Sequence, residues 1–120
     1  MKSILIVEDN PLIMELVRTL LDSFGYESIE AEDGPIAINL VKKNRVNLIL
    51  LDIQLPGIDG TEVLKILKKD PDTREIPVIA LTAHAMQGDE DRFLKEGCSG
   101  YVSKPIDIQR FKSIIAELIA

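Results

Sequence analysis

The sequence predicts an α/β fold: a (βα)5 doubly wound parallel sheet with strand order 2-1-3-4-5. Two observations and one general rule of topology support this prediction. Short apolar runs alternate along the chain with longer amphipathic stretches. The run Leu48-Ile49-Leu50-Leu51 contains no polar residue, which is typical of a strand buried on both faces of a parallel sheet. Alternating β and α units then favour right-handed crossovers that cover both faces, most often in this strand order.

Five segments are predicted to be strands, and the amphipathic stretches between them to be helices. The strands are Ser3–Val7, Glu27–Ala31, Leu48–Asp52, Pro77–Thr82 and Gly100–Ser103. The helices lie near 11–24, 35–43, 60–69, 86–96 and 107–119. The first helix carries a broad apolar face at helical spacing, formed by Ile13, Leu16, Val17, Leu20, Leu21 and Phe24. This pattern is that of the flavodoxin-like class.

Residues with special backbone preferences mark the element boundaries. Asn10-Pro11 supplies a capping residue and then a proline at the first helical turn. Gly25 and Gly97 follow amphipathic stretches, where a helix C-terminus favours a residue that tolerates positive φ. Pro56-Gly57 ends the third strand, and Asp70-Pro71-Asp72 ends the third helix. These elements therefore have a physical reason to begin or end where they are predicted to.

Composition favours a single globular domain without a dominant nucleic-acid surface. The chain has 120 residues, of which 46% are hydrophobic, and a formal net charge of −6. The single cysteine, Cys98, allows no internal disulfide and is interpreted as a small buried hydrophobe in a reducing compartment. No segment approaches the ~20 apolar residues of a membrane span, and the start does not resemble a signal peptide. We expect a cytoplasmic protein without membrane insertion.

Carboxylates stand at the ends of two strands that the predicted topology makes neighbours. Glu8-Asp9 follows the first strand, and Asp52 ends the third. The switch point of the sheet lies between these strands, and ligands bind at its carboxyl edge. Like charges this close raise one another's pKa unless a cation neutralises them. All-oxygen ligation favours Mg²⁺, with Mn²⁺ also suitable. Alternatively, Glu8 and Asp9 only cap the first helix, which leaves Asp52 unexplained.

A hydroxyl group and an ammonium group approach the same edge from the other side. Thr82 ends the fourth strand, and Lys104 follows the fifth. Taken singly, Thr82 is a β-branched strand end and Lys104 a solvated loop lysine. Around one carboxylate, together with a metal ion, they suit a phosphoryl group carried by Asp52. Aspartyl phosphates are known covalent intermediates.

The chain resembles the receiver domain of two-component response regulators, in the CheY-like superfamily, over essentially all 120 residues. The matching positions are Glu8-Asp9, Asp52, Thr82-Ala83, Tyr101 and Lys104-Pro105. The resemblance implies that Asp52 accepts phosphate from a histidine kinase or a histidine phosphotransfer protein. It also implies that Asp9, Asp52 and the backbone carbonyl of Gln54 bind Mg²⁺, and that Glu8 acts through a metal-bound water.

The resemblance implies further roles around the phosphate. Lys104 contacts the phosphoryl group, and the bond before Pro105 is cis. Thr82 and Tyr101 are the switch residues that respond to phosphorylation. Their movement alters the face formed by the fourth helix, the fifth strand and the fifth helix, where a downstream protein effector binds.

Several finer features are also expected. Gln54 and His84 lie two residues beyond Asp52 and Thr82, where the family tunes the rate of autodephosphorylation. The stretch 80–90 looks like single-domain regulators of the DivK type. On the first helix, Leu12 and Met14 flank the core stripe and are expected to be partly exposed. They are either a docking surface for a partner's helices or the edge of the core.

Residues 1–120 are expected to form one receiver domain with no output domain. The main alternative is a receiver domain from a larger protein, such as a hybrid kinase. An Mg²⁺-dependent phosphatase with an aspartyl nucleophile would need a second acid where Gln54 stands. A carrier of flavin mononucleotide would need a phosphate loop after the first strand, where Glu8-Asp9-Asn10-Pro11 repels phosphate.

Overall fold

Five parallel strands and five helices alternate along the chain in a computed structural model, which describes residues 1–55, 60–82 and 89–119. The strands form one sheet in the order β2-β1-β3-β4-β5, which confirms the predicted fold class. The elements are β1 (Ser3–Val7), α1 (Pro11–Phe24), β2 (Glu27–Ala31), α2 (Gly34–Lys43), β3 (Leu48–Asp52), α3 (Gly60–Lys69), β4 (Val78–Thr82), α4 (Asp89–Lys95), β5 (Gly100–Ser103) and α5 (Ile108–Ile119).

The sheet is covered on both faces, and two of its central strands are fully buried. All residues of β3 and β4 are buried. Alternate residues of β1 enter different apolar clusters: Leu5 and Val7 pack with α2, α3 and α4, whereas Ile4 and Ile6 pack with α1 and α5. Because side chains of a strand alternate between faces, each central strand contributes to both layers. Its end, at the edge of the sheet, is where polar groups can meet a ligand.

The predicted boundary residues have the expected geometry. The Asn10 side-chain oxygen accepts hydrogen bonds from the backbone N–H groups of Leu12, at 2.9 Å, and Ile13, at 3.4 Å. Gly25 and Gly97 have φ values of +92° and +116°, in the left-handed region that follows many helix ends. The start of α1 and the ends of α1 and α4 were therefore readable from single residues.

Small differences from the predicted boundaries have local causes. β4 begins at Val78 and not at Pro77, since proline has no N–H to donate to a ladder. α2 begins at Gly34, and the Asp33 carboxylate caps it by accepting from the Ile36 N–H at 2.9 Å. The predicted helical residues 86–88 lie outside the described residues. The expectation of one domain over 1–120 stays a prediction.

The buried face of α1 is rotated from the predicted one. It is centred on Met14, Val17 and Leu21, whereas Leu16 is 44% exposed. Leu12 is 75% exposed, as expected, but the expected partial exposure of Met14 is wrong, since only 7% of it is accessible. Apolar residues cover more than half of the circumference of α1 near its start, so the sequence pattern is compatible with more than one buried face. The position of the sheet relative to α1 determines which of these faces is buried.

Cys98 is a buried side chain with an unreactive thiol. Burial is the largest influence and raises its pKa to about 12, while the nearby charge of Lys68 opposes this effect. The thiolate is the form that attacks electrophiles and binds metals. Cys98 therefore contributes packing, as predicted. None of the helices in the described ranges is long and apolar enough to cross a bilayer.

Candidate functional site

Three carboxylates meet at the carboxyl edge of β1 and β3, as the topology requires. Val7 pairs with Leu51 in the parallel ladder, so the residues that follow them are neighbours. One carboxylate oxygen each of Glu8, Asp9 and Asp52 lies within 4.8 Å of the others. Glu8 is 2% and Asp52 3% exposed, whereas Asp9 is exposed. The sequence therefore located this cluster correctly.

Lys104 reaches the cluster from the end of β5. Its ammonium nitrogen lies 3.0 Å from Glu8 Oε2 and 3.5 Å from Asp52 Oδ2. Its backbone N–H donates to the Thr82 carbonyl at 2.7 Å, and the Lys104–Pro105 bond is cis. Three carboxylates and one ammonium leave a formal charge of −2. This all-oxygen set suits a hard divalent cation such as Mg²⁺.

The pKa of the Glu8 carboxyl shows that burying its negative charge is unfavourable. Burial is the largest influence and raises its pKa, and the nearby Asp52 charge raises it further. The hydrogen bond from Lys104 lowers it, as does the bond that the Asn10 N–H donates to Glu8 Oε1 at 3.2 Å. The raised pKa means that the single ammonium does not fully compensate the buried charge.

The Asp52 carboxylate is fixed by its own local turn. Its Oδ1 accepts a hydrogen bond from the Gln54 N–H at 2.9 Å, and its Oδ2 faces Lys104. The next residue, Ile53, donates its N–H to the Leu81 carbonyl at 3.0 Å, so the end of β3 is tied to β4. Asp52 thus presents a carboxylate of defined orientation at the edge of the sheet.

The two predicted switch residues lie on β4 and β5. Thr82 is the buried last residue of β4, one step beyond the Asp52–Leu81 pair of the ladder. Tyr101 is buried on β5, and its ring stacks on Phe93 of α4, with centroids 5.8 Å apart and planes at 22°. Tyr101 therefore packs inward in this structure. The predicted residue His84 lies outside the described residues.

Two residues beside the site were not singled out by sequence reasoning. Gly60 begins the helix predicted near 60–69 and has no other expected role, yet it packs directly against the backbone of Asp52 and Ile53. Arg110 of α5 donates to the Tyr101 carbonyl at 3.2 Å, and its guanidinium lies 3.9 Å from Glu90 of α4. A glycine at the start of a helix could have indicated a close backbone contact from the sequence. No local sequence pattern could have indicated the contacts of Arg110.

Fold and site together define a phosphoacceptor signalling domain. Residues 4–116 match the response regulator receiver domain family, and the chain belongs to that family. It is 53% identical to the polar-differentiation response regulator DivK of Brucella anthropi over 110 residues, which cover 92% of this chain and 89% of that protein. It is 52% identical to DivK of Brucella ovis over the same shares of both chains.

Solved structures agree with this assignment. The receiver domain of a sensor histidine kinase from Pseudomonas aeruginosa, with a magnesium ion in its active-site cleft, superposes with a TM-score of 0.90. It is 34% identical, over 98% of this chain and 97% of that one. The receiver domain of a histidine kinase from Syntrophus aciditrophicus has a TM-score of 0.90 and 33% identity, over 99% and 90%. Receiver domains interact with histidine kinases or phosphotransfer proteins and with downstream effectors.

Proposed function

We propose that Asp52 accepts a phosphoryl group from a phosphohistidine of a histidine kinase or a histidine phosphotransfer protein. The observation that carries this proposal is the state of the Asp52 carboxylate. It is almost fully buried, held by the Gln54 N–H at 2.9 Å, and faces the Lys104 ammonium at 3.5 Å. A buried carboxylate with a fixed orientation and a cationic neighbour suits nucleophilic attack on phosphorus.

The transfer forms one bond and breaks one. An Asp52 oxygen attacks phosphorus as the P–N bond to the histidine breaks, and the electron pair of that bond returns to the ring nitrogen. The imidazole leaves as a neutral group when its other nitrogen carries a proton. Lys104 stabilises the negative charge on the phosphoryl oxygens, and the Thr82 hydroxyl donates a hydrogen bond to one of them.

The metal part of the proposal rests on the donor set. Asp9, Asp52 and the backbone carbonyl of Gln54 would hold Mg²⁺, or Mn²⁺ in its place, and Glu8 would act through a bound water. The formal charge of −2 and the mutual proximity of three carboxylates support a divalent cation. When bound, the ion neutralises charge on the transferring group. A magnesium ion in a receiver domain 34% identical supports the same position.

The output is proposed to pass through Thr82 and Tyr101 to the α4–β5–α5 face, where a downstream protein effector binds. Arg110 supports this route, because it contacts the Tyr101 carbonyl on β5 and approaches Glu90 on α4. The Tyr101–Phe93 stack is a second link between β5 and α4. Gln54 and His84 are proposed to tune the lifetime of the phosphoryl group.

The proposal is tested by incubating the chain with acetyl phosphate and Mg²⁺ and recording the intact mass. We expect the addition of one phosphoryl group, which disappears when EDTA removes the metal. Reduction of the product with borohydride, followed by digestion, should place the modification at residue 52. A label on any other residue, or labelling that EDTA leaves unchanged, would contradict the proposal.

Beryllofluoride, a stable mimic of an aspartyl phosphate, should change hydrogen exchange on the output face. With Mg²⁺ present, we expect altered exchange in β5, α4 and the first turn of α5, because Thr82, Tyr101 and Arg110 connect these elements. α2 is the internal control, since it packs beneath β1 and β2, away from β5. A response of equal size in α2 and β5, or none in β5, would argue against the proposed route.

A further inference from the structure

Gly60, the first residue of α3, lies against the peptide that joins the phosphoacceptor to the next residue. A β-carbon at this position would stand 2.5 Å from Ile53 Cα, 2.6 Å from the Asp52 carbonyl oxygen and 3.0 Å from the Ile53 carbonyl carbon. Real β-carbons essentially never approach other atoms closer than 3.0 Å. The Gly60 N–H also donates to the Ile53 carbonyl at 3.0 Å. No side chain fits between α3 and the end of β3.

The close approach involves backbone atoms, which distinguishes Gly60 from Gly25, Gly97 and Gly100. At Gly100 an added β-carbon would meet Ile114 Cδ1 at 2.6 Å, but that methyl group ends a flexible side chain and can rotate away. Gly25 is required for its positive φ and has nothing within 4 Å. Relief at Gly60 needs a displacement of the main chain. Since Ile53 is held to β4 by its N–H bond to Leu81, the strain falls on the turn after Asp52.

The geometry points to Gly60 as a positioning residue for the phosphoacceptor, an inference that rests on the proposed function. Its missing side chain lets α3 seat against the Asp52–Ile53 peptide. That contact fixes the turn in which the Gln54 N–H orients the Asp52 carboxylate at 2.9 Å, and it sets the position of the Gln54 carbonyl. Gly60 has no side chain to offer to a metal or a phosphoryl group, and it acts through Asp52 and Gln54.

The effect on chemistry should exceed the effect on stability. Misplacing a reacting group by about 1 Å can cost about 100-fold in rate, and the metal site shares the same turn. In Gly60→Ala we expect Mg²⁺ affinity and the rate of labelling by acetyl phosphate each to fall about tenfold or more. A substitution elsewhere in the chain that lowers stability by a similar amount should leave the Mg²⁺ affinity and the labelling rate nearly unchanged.

Two glycine variants far from the site are matched controls. Gly25→Ala introduces backbone strain after α1, and Gly100→Ala introduces crowding against Ile114. An NMR titration gives the Mg²⁺ affinity, intact mass gives the labelling rate, and thermal unfolding gives the stability of each variant. We expect Mg²⁺ affinity and labelling within about threefold of wild type in both controls, even where they melt at lower temperature than Gly60→Ala. A Gly60→Ala chain that falls within the range of the controls overturns the inference.

A wild-type measurement decides the matter if Gly60→Ala does not fold. Mg²⁺ should slow hydrogen exchange of the Gly60 amide together with that of Gln54, and should leave the Gly25 amide unchanged. A Gly60 amide that ignores Mg²⁺ while the Gln54 amide responds overturns the inference. If the wild-type chain binds Mg²⁺ but is never labelled by acetyl phosphate, the proposed function is contradicted. The role of Gly60 is then decided by the Mg²⁺ affinities of wild type and the variants.

Discussion

Asparagine at position 52 is expected to have two opposite effects. Labelling by acetyl phosphate should fall about a thousandfold or more, because the amide is not a nucleophile. Without divalent cations, the free energy of unfolding should rise by about 1 kcal/mol. The substitution removes one of the two buried carboxylates of the cluster, Asp52 and Glu8, while Lys104 keeps its 3.0 Å contact with Glu8. The same charge that accepts the phosphoryl group thus costs stability in the metal-free protein.

Intact mass and urea unfolding in EDTA measure the two effects of Asp52→Asn. Added Mg²⁺ should stabilise wild type more than the variant, since the variant lacks one charged ligand. Asp72→Asn is the control, because Asp72 is an exposed acid in the loop between α3 and β4 and should change neither quantity. Persistent labelling of Asp52→Asn would contradict Asp52 as the phosphoacceptor. A lower unfolding free energy than wild type in EDTA would contradict the cost assigned to its buried charge.

Lys104→Met is expected to damage both chemistry and stability. Loss of the ammonium removes the side-chain cation that faces Asp52, and labelling should fall about 100-fold. The free energy of unfolding near neutral pH should fall by about 2–4 kcal/mol in EDTA, because Glu8 and Asp52 then lose the ammonium that contacts both buried carboxylates. Lys43→Met, at an exposed lysine of α2, should leave labelling intact.

The stability lost in Lys104→Met should depend on pH, with a sign set by Glu8. Burial raises the pKa of this carboxyl, and the Lys104 bond lowers it, so removing Lys104 raises it further. A carboxyl whose pKa is higher in the folded than in the unfolded state costs stability once the pH exceeds its unfolded value, about 4.3. The deficit relative to wild type should therefore be smaller at about pH 5 than at about pH 8. If Lys104→Met loses the same unfolding free energy at both pH values, the Glu8 carboxyl is not the source of the loss.

The clustering of residues at the strand ends was predictable because parallel strands all place their carboxyl ends at the same edge of the sheet. Once the order 2-1-3-4-5 is assumed, Glu8, Asp52 and Lys104 must reach one edge, wherever the individual helices lie. The buried face of α1 was harder to predict. Apolar residues surround much of its first two turns, so spacing alone did not decide between Met14 and Leu16, and only the direction of the sheet does.

Contacts across elements were beyond sequence reasoning for a different reason. At position 60 a β-carbon would stand 2.5 Å from Ile53 Cα, a tertiary contact that no spacing along the chain encodes. Arg110 contacts the Tyr101 carbonyl only because α5 returns along β5. By contrast, Asp33 ahead of Pro35 is a readable capping signal, and α2 could have been started one residue earlier on that basis.

We expect the position of Lys104 to limit where a signal can spread. An ammonium has three N–H donors, and its contacts with Glu8 and Asp52 leave one for a phosphoryl oxygen. We therefore expect Lys104 to bind the phosphoryl group without releasing Glu8 at the end of β1. Rearrangement after phosphorylation is then expected in β4 and β5, which carry Thr82 and Tyr101, and not in β1 and β2. On this proposal, one side chain divides the sheet into an anchored half and a half that responds.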